Sequence, residues 1–192
     1  QRADDLDALD TLLMQLSAVG WVWSESVVSG PAWYYGDFAK RYERALAGLT
    51  GARIATGVSA DPTMTEPERR RGLESVLAAN DSLVAYRRRH RSDVEPDAVL
   101  ALLLRDDRSP RSVAASVAGM IRNASAIGWA EGEAPLTAIA HDVATMSAGT
   151  DPADVEAIDR RLDHLASALT STRLFAPPHP TIVGSRLVDP GA

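Results

Sequence analysis

The segment AKRYERALAG, residues 39–48, places two arginines and a glutamate in a stretch that otherwise has the composition of a packed helix. Successive residues of an α-helix are rotated by about 100°, so Glu43 and Arg44 diverge, whereas Arg41 and Arg44 are neighbours at a spacing of three. Because arginine pairs with carboxylate or phosphate through two parallel hydrogen bonds, Arg41 and Arg44 are candidates for holding such a group, with Glu43 orienting one of them. The structural alternative is that Glu43 and Arg44 form salt bridges to two different helices. Asp37 lies four residues before Arg41 and is placed to form an ion pair with it.

A second concentration of charge is the run YRRRHRSD, residues 86–93. Its cations could meet an acidic partner, a nucleotide phosphate or an RNA. The residues considered for anion binding in this run are Tyr86, Arg87, Arg88 and Arg91. Since Tyr86 is the sole aromatic residue of the run, a platform for stacking bases is not expected. Because the arginines point in most directions around a helix, the alternative is a solvated helix end whose cations favour the C-terminal dipole.

The third candidate is RDDRSPRS, residues 105–112. Ser109 is predicted to cap a helix that begins at Pro110, which would place Arg111 beside the N-terminus of that helix. A helix N-terminus with an arginine next to it is a fair anion site, so Arg111 is a further candidate. The alternative is that Asp106 or Asp107 occupies this N-terminus as an internal cap.

The elements that would position these residues are helical. Almost every long segment repeats its apolar residues at spacings of three and four, which is the period of an α-helix. The first of these stripes consists of Leu6, Leu9, Leu12, Leu13, Leu16 and Val19. No segment alternates convincingly as a strand. The predicted fold class is therefore all-α, a bundle of about six or seven helices.

Turn and cap residues divide the pattern. SGP at 29–31 is a break, and the next helix is predicted over about 32–49. Thr65 and Glu68 have capping-box spacing and start a third helix, which is predicted to continue into the arginine run. Pro96 is predicted to open a short, deeply buried helix because a continuous apolar run follows it.

Composition narrows the class of protein. The 192 residues are 45% hydrophobic with a net charge of −6, so we expect a single helical domain over residues 1–175 and an extended, proline-rich tail over 176–192. The absence of cysteine excludes disulfides and thiolate metal sites. The overall acidity argues against nucleic-acid binding, and no apolar run approaches the ~20 residues of a membrane span. Without a signal-like start we expect a cytoplasmic protein, and the helical opening without an initiator methionine suggests a piece of a longer chain.

Three segments together resemble the bacterial Alpha-E domain family, an α-helical domain named for its ER motif. AWYYGDFAKRYERA (32–45) resembles the signature helix of that family, and ANDSLVAYRRRHRSD (79–93) and VLALLLRDDRSPRSV (99–113) resemble two further stretches in the same order. The matching residues of the first segment are Trp33, Tyr35, Phe38, Arg41, Glu43, Arg44 and Ala45. The domain normally has two related halves, and this chain resembles the C-terminal one.

The resemblance implies a functional setting. Alpha-E domains commonly occur fused to, or encoded beside, ATP-grasp proteins, which implies ATP-dependent amide or peptide-bond formation by a partner. The implied partners are an ATP-grasp domain or protein and the first half of the Alpha-E domain, and a peptide or amino-acid substrate is left open. ATP and Mg²⁺ are implied for the ATP-grasp partner, and no cofactor is expected in this chain.

Catalysis by this chain alone is not expected. Its sequence has no phosphate-binding loop, no GxSxG and no GxGxxG, and its four histidines show no paired spacing for a metal. The readings left open are an accessory or substrate-positioning module for the ligase, a non-catalytic assembly module that pairs with the missing half, and an acid or base role for Glu43.

Overall fold

The computed structural model describes residues 2–26, 30–90, 93–147 and 149–174, and every regular element in these ranges is helical. The eight α-helices of the described ranges are α1 (Arg2–Ser26), α2 (Pro31–Ala60), α3 (Glu66–Ala79), α4 (Leu83–Arg89), α5 (Pro96–Leu100), α6 (Val113–Ala126), α7 (Ala130–Thr145) and α8 (Pro152–Leu169). π-helical turns at Ala101–Arg105 and Thr170–Leu174 continue α5 and α8. The all-α prediction is confirmed, with one more helix than the upper estimate. The proline-rich tail predicted over 176–192 lies outside the described residues.

The centre of the fold is the packing of α2 against α6, with α3 and α8 on other sides of α2 and with α7 against α6. The buried face of α2 combines the large Phe38 and Leu49 with small residues at helical spacing, namely Ala45, Gly48, Ala52 and Ala55. A Cβ atom at Gly48 would lie 2.8 Å from Cγ2 of Val113, the first residue of α6. The two helices therefore approach closely at Gly48, where α2 has no side chain.

The predicted end of the second helix near residue 49 is wrong, since α2 continues to Ala60. Each glycine in a helix interior costs about 1 kcal/mol relative to alanine, and Gly51 and Gly57 made an earlier end plausible. Ala52 and Ala55 are completely buried in this extension. Contacts with neighbouring helices thus outweigh the low helix propensity of the segment.

The prediction of one helix from Thr65 into the arginine run is also wrong. The capping box at Thr65 is confirmed, because its backbone N–H donates to Glu68 Oε2 at 2.9 Å. However, α3 ends at Ala79 and Asp81 adopts a left-handed backbone with φ of 49° before α4 begins. Aspartate tolerates this conformation better than most residues, and the Ser82 N–H closes the turn on the Leu77 carbonyl at 2.8 Å.

The start predicted for the helix after residue 109 is displaced by three residues. Ser112 rather than Ser109 is the cap, since its hydroxyl accepts from the Ala115 N–H at 3.0 Å and α6 begins at Val113. Ser109 instead closes a turn, with its N–H on the Asp106 carbonyl at 3.1 Å. Pro110 is consequently outside the helix.

The stripes predicted for the later helices form the core. The core residues of these helices are at most 2% exposed. They are Val113, Val117, Met120 and Ala124 of α6 and Val155, Ile158 and Leu162 of α8. Gly128 ends the α6 region with a φ of 68°, and Asp151 caps α8 by accepting from the Ala153 N–H at 2.8 Å. Strong helical periodicity was therefore a sound guide to the core.

Helix α1 forms as its apolar period predicts, but its stripe is not part of this core. The six stripe residues are between 50% and 66% exposed. Within the described ranges, α1 makes no extensive contact with another helix. No described helix is both long enough and apolar enough to cross a membrane.

One arginine of α3 closes the end of α2. The Arg69 guanidinium donates to the carbonyls of Val58 at 3.1 Å, Ser59 at 2.5 Å and Met64 at 3.2 Å. These carbonyls lie at or just beyond the last turn of α2, where no intrahelical N–H is available to them. Arg69 therefore joins the start of α3 to the end of α2.

We expect Arg69→Met to lower the free energy of unfolding by about 1–3 kcal/mol, because it leaves several carbonyls without their charged donor. Arg69→Lys should recover only part of the loss, since an ammonium group cannot reproduce the planar fork. Urea denaturation measures both. Arg71→Met is the control, because Arg71 is exposed on the same helix. Equal stabilities of the Arg69→Met and Arg71→Met variants would contradict this role.

Candidate functional site

Asp37 and Arg41 form a polar contact between α2 and α6. Arg41 Nε donates to Asp37 Oδ2 at 2.5 Å, and the Asn123 side-chain amide of α6 donates to the same oxygen at 2.8 Å. Asn123 is buried, and the side chains of Asp37 and Arg41 are 18% and 24% exposed. The predicted ion pair at a spacing of four is confirmed, and it also reaches a second helix.

The Arg41 side chain lies flat against Gly119 of α6. A Cβ atom at Gly119 would overlap with Cδ, Nε and Nη1 of Arg41. Gly119 and Asn123 are separated by four residues and therefore face the same side of α6. Arg41 thus rests on a gap in α6 while Asn123 fixes its carboxylate partner.

Burial raises the pKa of Asp37, but this effect is outweighed by the hydrogen bonds from Asn123 and Arg41 and by the charges of Arg41 and Arg44. The net result is a pKa below the ordinary value. The carboxylate is therefore ionised, and it interacts with Arg41 and Asn123 inside the contact between α2 and α6.

The ER pair itself is outside this contact. Glu43 and Arg44 are both exposed, and neither makes a hydrogen bond or an ion pair with another described residue. The structural alternative, in which both residues bridge to other helices, is not observed in the described part of the chain. An exposed carboxylate also lacks the enclosed setting that general acid–base catalysis uses.

An acidic surface lies beside Glu43. The Tyr42 hydroxyl donates to the Asp163 carboxylate of α8, and burial together with that bond and the nearby carboxylates raises the pKa of Tyr42 to about 12. Burial and then the charge of Asp163 raise the pKa of Asp159. This surface joins α2 to α8, and its excess negative charge is unsuited to an anionic ligand.

The residues of the arginine run, 86–93, contact different parts of the fold rather than one common site. Tyr86 is 1% exposed, donates to the Asp93 carbonyl at 3.3 Å and accepts from the Glu95 N–H at 3.0 Å, so it is a core residue. Arg87 reaches Glu74 of α3 at 3.8 Å, whereas Arg88 is exposed without a described partner. Arg91 lies outside the described residues.

The third segment is held by pairs with the second. Arg89 of α4 forms an ion pair with Asp106, and Arg111 pairs with Asp81 at 2.7 Å. Asp106 also accepts from the Arg108 N–H at 3.1 Å and so caps a local turn rather than the helix N-terminus. Arg111 precedes the Ser112 cap and lies outside the first turn of α6.

The candidate residues from the sequence therefore do not converge on one site. A cleft with a volume of 360 Å³ forms instead where the second and third segments meet. Its polar lining consists of Arg89, His90, Arg105 and Asp106. The spacing of these residues gave no signal, because Arg89 and His90 lie at the end of α4 whereas Arg105 and Asp106 lie at the end of a π-helical turn.

Within the described ranges no group of three or more histidine and carboxylate side chains is arranged to hold a metal ion.

Comparison with known proteins gives one match. The model of the Alpha-E family, described as a predicted alpha-helical domain with a conserved ER motif, matches residues 1–174. No curated protein and no solved structure matches the chain.

The contact at Asp37 predicts that substitution of Arg41 destabilises the fold and that substitution of Arg44 has little effect. Arg41→Met should lower the free energy of unfolding by about 1–3 kcal/mol, because a mostly buried carboxylate loses its charged donor. Arg44→Met is the matched control and should stay within about 0.5 kcal/mol, since Arg44 is exposed. Thermal or urea unfolding measures the stability of both variants. An equal loss of stability in the two would refute the role assigned to Arg41.

A second prediction concerns pH. A carboxyl group with a lowered pKa in the folded state stabilises the fold above its unfolded pKa, and this stabilisation is lost as the pH falls through the folded value. We therefore expect Asp37→Asn to be less stable than the natural chain at neutral pH. The difference should shrink as the pH is lowered below the ordinary aspartate value of 3.8. A difference that stays constant down to acid pH would show that Asp37 acts by shape alone.

Proposed function

We propose, from the premise that this chain belongs to the Alpha-E family, that it is an accessory helical module of an ATP-grasp-type amide or peptide ligase. In this proposal the ligase binds ATP and Mg²⁺ and forms the bond, while this chain supplies binding surface. The ligase partnership rests on the resemblance of the ER helix and the two arginine-rich segments to the family.

The observation that carries the proposal is the exposed apolar face of α1. Six of the exposed apolar residues fall within an arc of about 140° on this helix, namely Leu6, Leu9, Leu12, Leu13, Leu16 and Val19. Met14, Trp21 and Val22 are also exposed but lie outside this arc. A contiguous apolar surface of this kind on a protein marks an interaction site. Leu6, Leu9, Leu13 and Leu16 also follow the spacing by which one helix packs into another. The occupant that we propose is the helical first half of the Alpha-E domain.

The ER pair supports a second contact. Glu43 and Arg44 are exposed on α2, whereas Asp37 and Arg41 form the polar contact with α6. The fold therefore does not depend on direct bonds from Arg44 to the described residues. We assign Glu43 and Arg44 to the surface that meets the ligase or its substrate.

If α1 is the docking surface, a substitution in its apolar arc should weaken binding without lowering the stability of the isolated chain. Leu13→Glu should weaken association with the first half of the domain by at least roughly ten-fold, because burying a leucine contributes about 1.5–3 kcal/mol. The isolated chain should keep its unfolding temperature, since Leu13 is already 60% exposed. Co-elution of the two halves and ligase turnover with and without this chain are the measurements.

Ala18→Glu is the matched control, because Ala18 is exposed on the opposite side of α1 from the apolar arc. It introduces the same charge and should leave association unchanged. Equal loss from the two variants, or a lower unfolding temperature for Leu13→Glu alone, would contradict docking through this arc. In the same turnover assay, Arg44→Met with normal activity would remove Arg44 from the contact surface.

A further inference from the structure

A surface cleft lies between the two arginine-rich segments, residues 86–93 and 105–112. It lies where the end of α4 meets α5 and the following π-helical turn, and its volume of 360 Å³ is within the range of small-molecule sites. Its apolar lining consists of Ala98, Ala101 and Leu102. Its polar lining comes from both ends of the cleft, so a bound molecule would meet an apolar wall beside charged groups.

The π-helical turn determines which side chains reach the cleft. The Asp106 N–H donates to the Ala101 carbonyl at 2.9 Å, which is the five-residue bond of a π-helix. Leu103 and Leu104 are directed into the core and are 1% exposed, while Arg105 and Asp106 line the cleft. Such single π turns inside helical segments occur frequently at functional sites.

The cleft is lined by more arginine side chains than carboxylates. Arg89 is paired with Asp106, whose other oxygen accepts from the Arg108 N–H. Arg105 is half-buried and makes no hydrogen bond or ion pair with the described residues. Arg89, Arg105 and Asp106 supply two cations and one carboxylate to the cleft, and Arg105 is the cation without a carboxylate partner among the described residues.

His90 gives the cleft a fixed planar edge. Its ring stacks on the buried ring of Tyr86, with centroids 4.7 Å apart and planes at 28°. Tyr86 is itself fixed by two backbone hydrogen bonds. The His90 ring is therefore positioned before any ligand arrives, which lowers the entropic cost of binding.

We propose that this cleft binds the carboxylate of a small molecule or peptide end that also carries an apolar group. Arg105 holds the carboxylate through its planar guanidinium, and the apolar group lies on Ala98, Ala101 and Leu102. Arg89 and Asp106 satisfy each other and shape the cleft rather than bind charge. This assignment is independent of the ligase partnership and of α1.

The test uses two probes that differ in charge. N-acetyl-leucine carries a carboxylate and an apolar side chain, and N-acetyl-leucinamide is its neutral counterpart. Titration followed by amide chemical shifts should place N-acetyl-leucine at residues 98–106 and show at least roughly ten-fold weaker binding of the amide. Arg105→Gln should abolish this preference without loss of stability, since Arg105 has no described partner to leave unpaired.

Arg88→Gln is the control for general charge, because Arg88 is exposed on α4 and does not line the cleft. It should bind both probes as the natural chain does. Equal affinities for the acid and the amide would overturn the proposal, as would an Arg105→Gln variant that keeps the preference. Inorganic phosphate that binds at residues 98–106 more tightly than N-acetyl-leucine would also overturn it, because the apolar wall would then contribute nothing.

Discussion

The structure depends on the close approach of α2 and α6. Small residues along α2 remove side-chain volume from the contact, and Gly119 does the same on α6 where Arg41 lies. An amide and a carboxylate meet in this contact, and each would be costly to bury without the other. The pairing of Asn123 with Asp37 therefore fixes the register of the two helices, because a shift along either axis would separate them.

This constraint explains how α2 can hold the fold through one pair of charged residues and leave the ER pair exposed. Residues 37 and 41 share the face of α2 that meets α6. At about 100° per residue Glu43 turns away from this face, whereas Arg44 lies on the same side as Asp37 but is exposed. Arg41 forms the ion pair with Asp37 and Asn123 donates a hydrogen bond to the same carboxylate oxygen, so the contact uses no direct bond from Arg44. The ER pair is consequently available at the surface, and its adjacency to a structural pair follows from helical geometry.

The sequence predicted those features that local pattern determines. The stripes of α6 and α8, the capping box at Thr65 and the Asp37–Arg41 pair each follow from spacings within one helix. The extension of α2 depends on contacts of its small buried residues with other helices. The break at Asp81 and the choice of Ser112 over Ser109 as cap rest on local hydrogen bonds that the residue types alone did not distinguish from the alternatives. The cleft could not be predicted, because a π-helical turn has no periodic signal and its lining comes from two segments.

The exposure of α1 has an energetic consequence for any partner. Most helical stability in proteins comes from packing an apolar face against other elements, and α1 has little such packing within the described ranges. Docking would bury its leucines and add this missing stabilisation to α1. Binding and ordering of α1 are then coupled, so part of the interaction free energy is consumed in fixing the helix. If the proposed docking occurs, its affinity should therefore be lower than the buried apolar area indicates, while the body of α2 to α8 should keep its own stability.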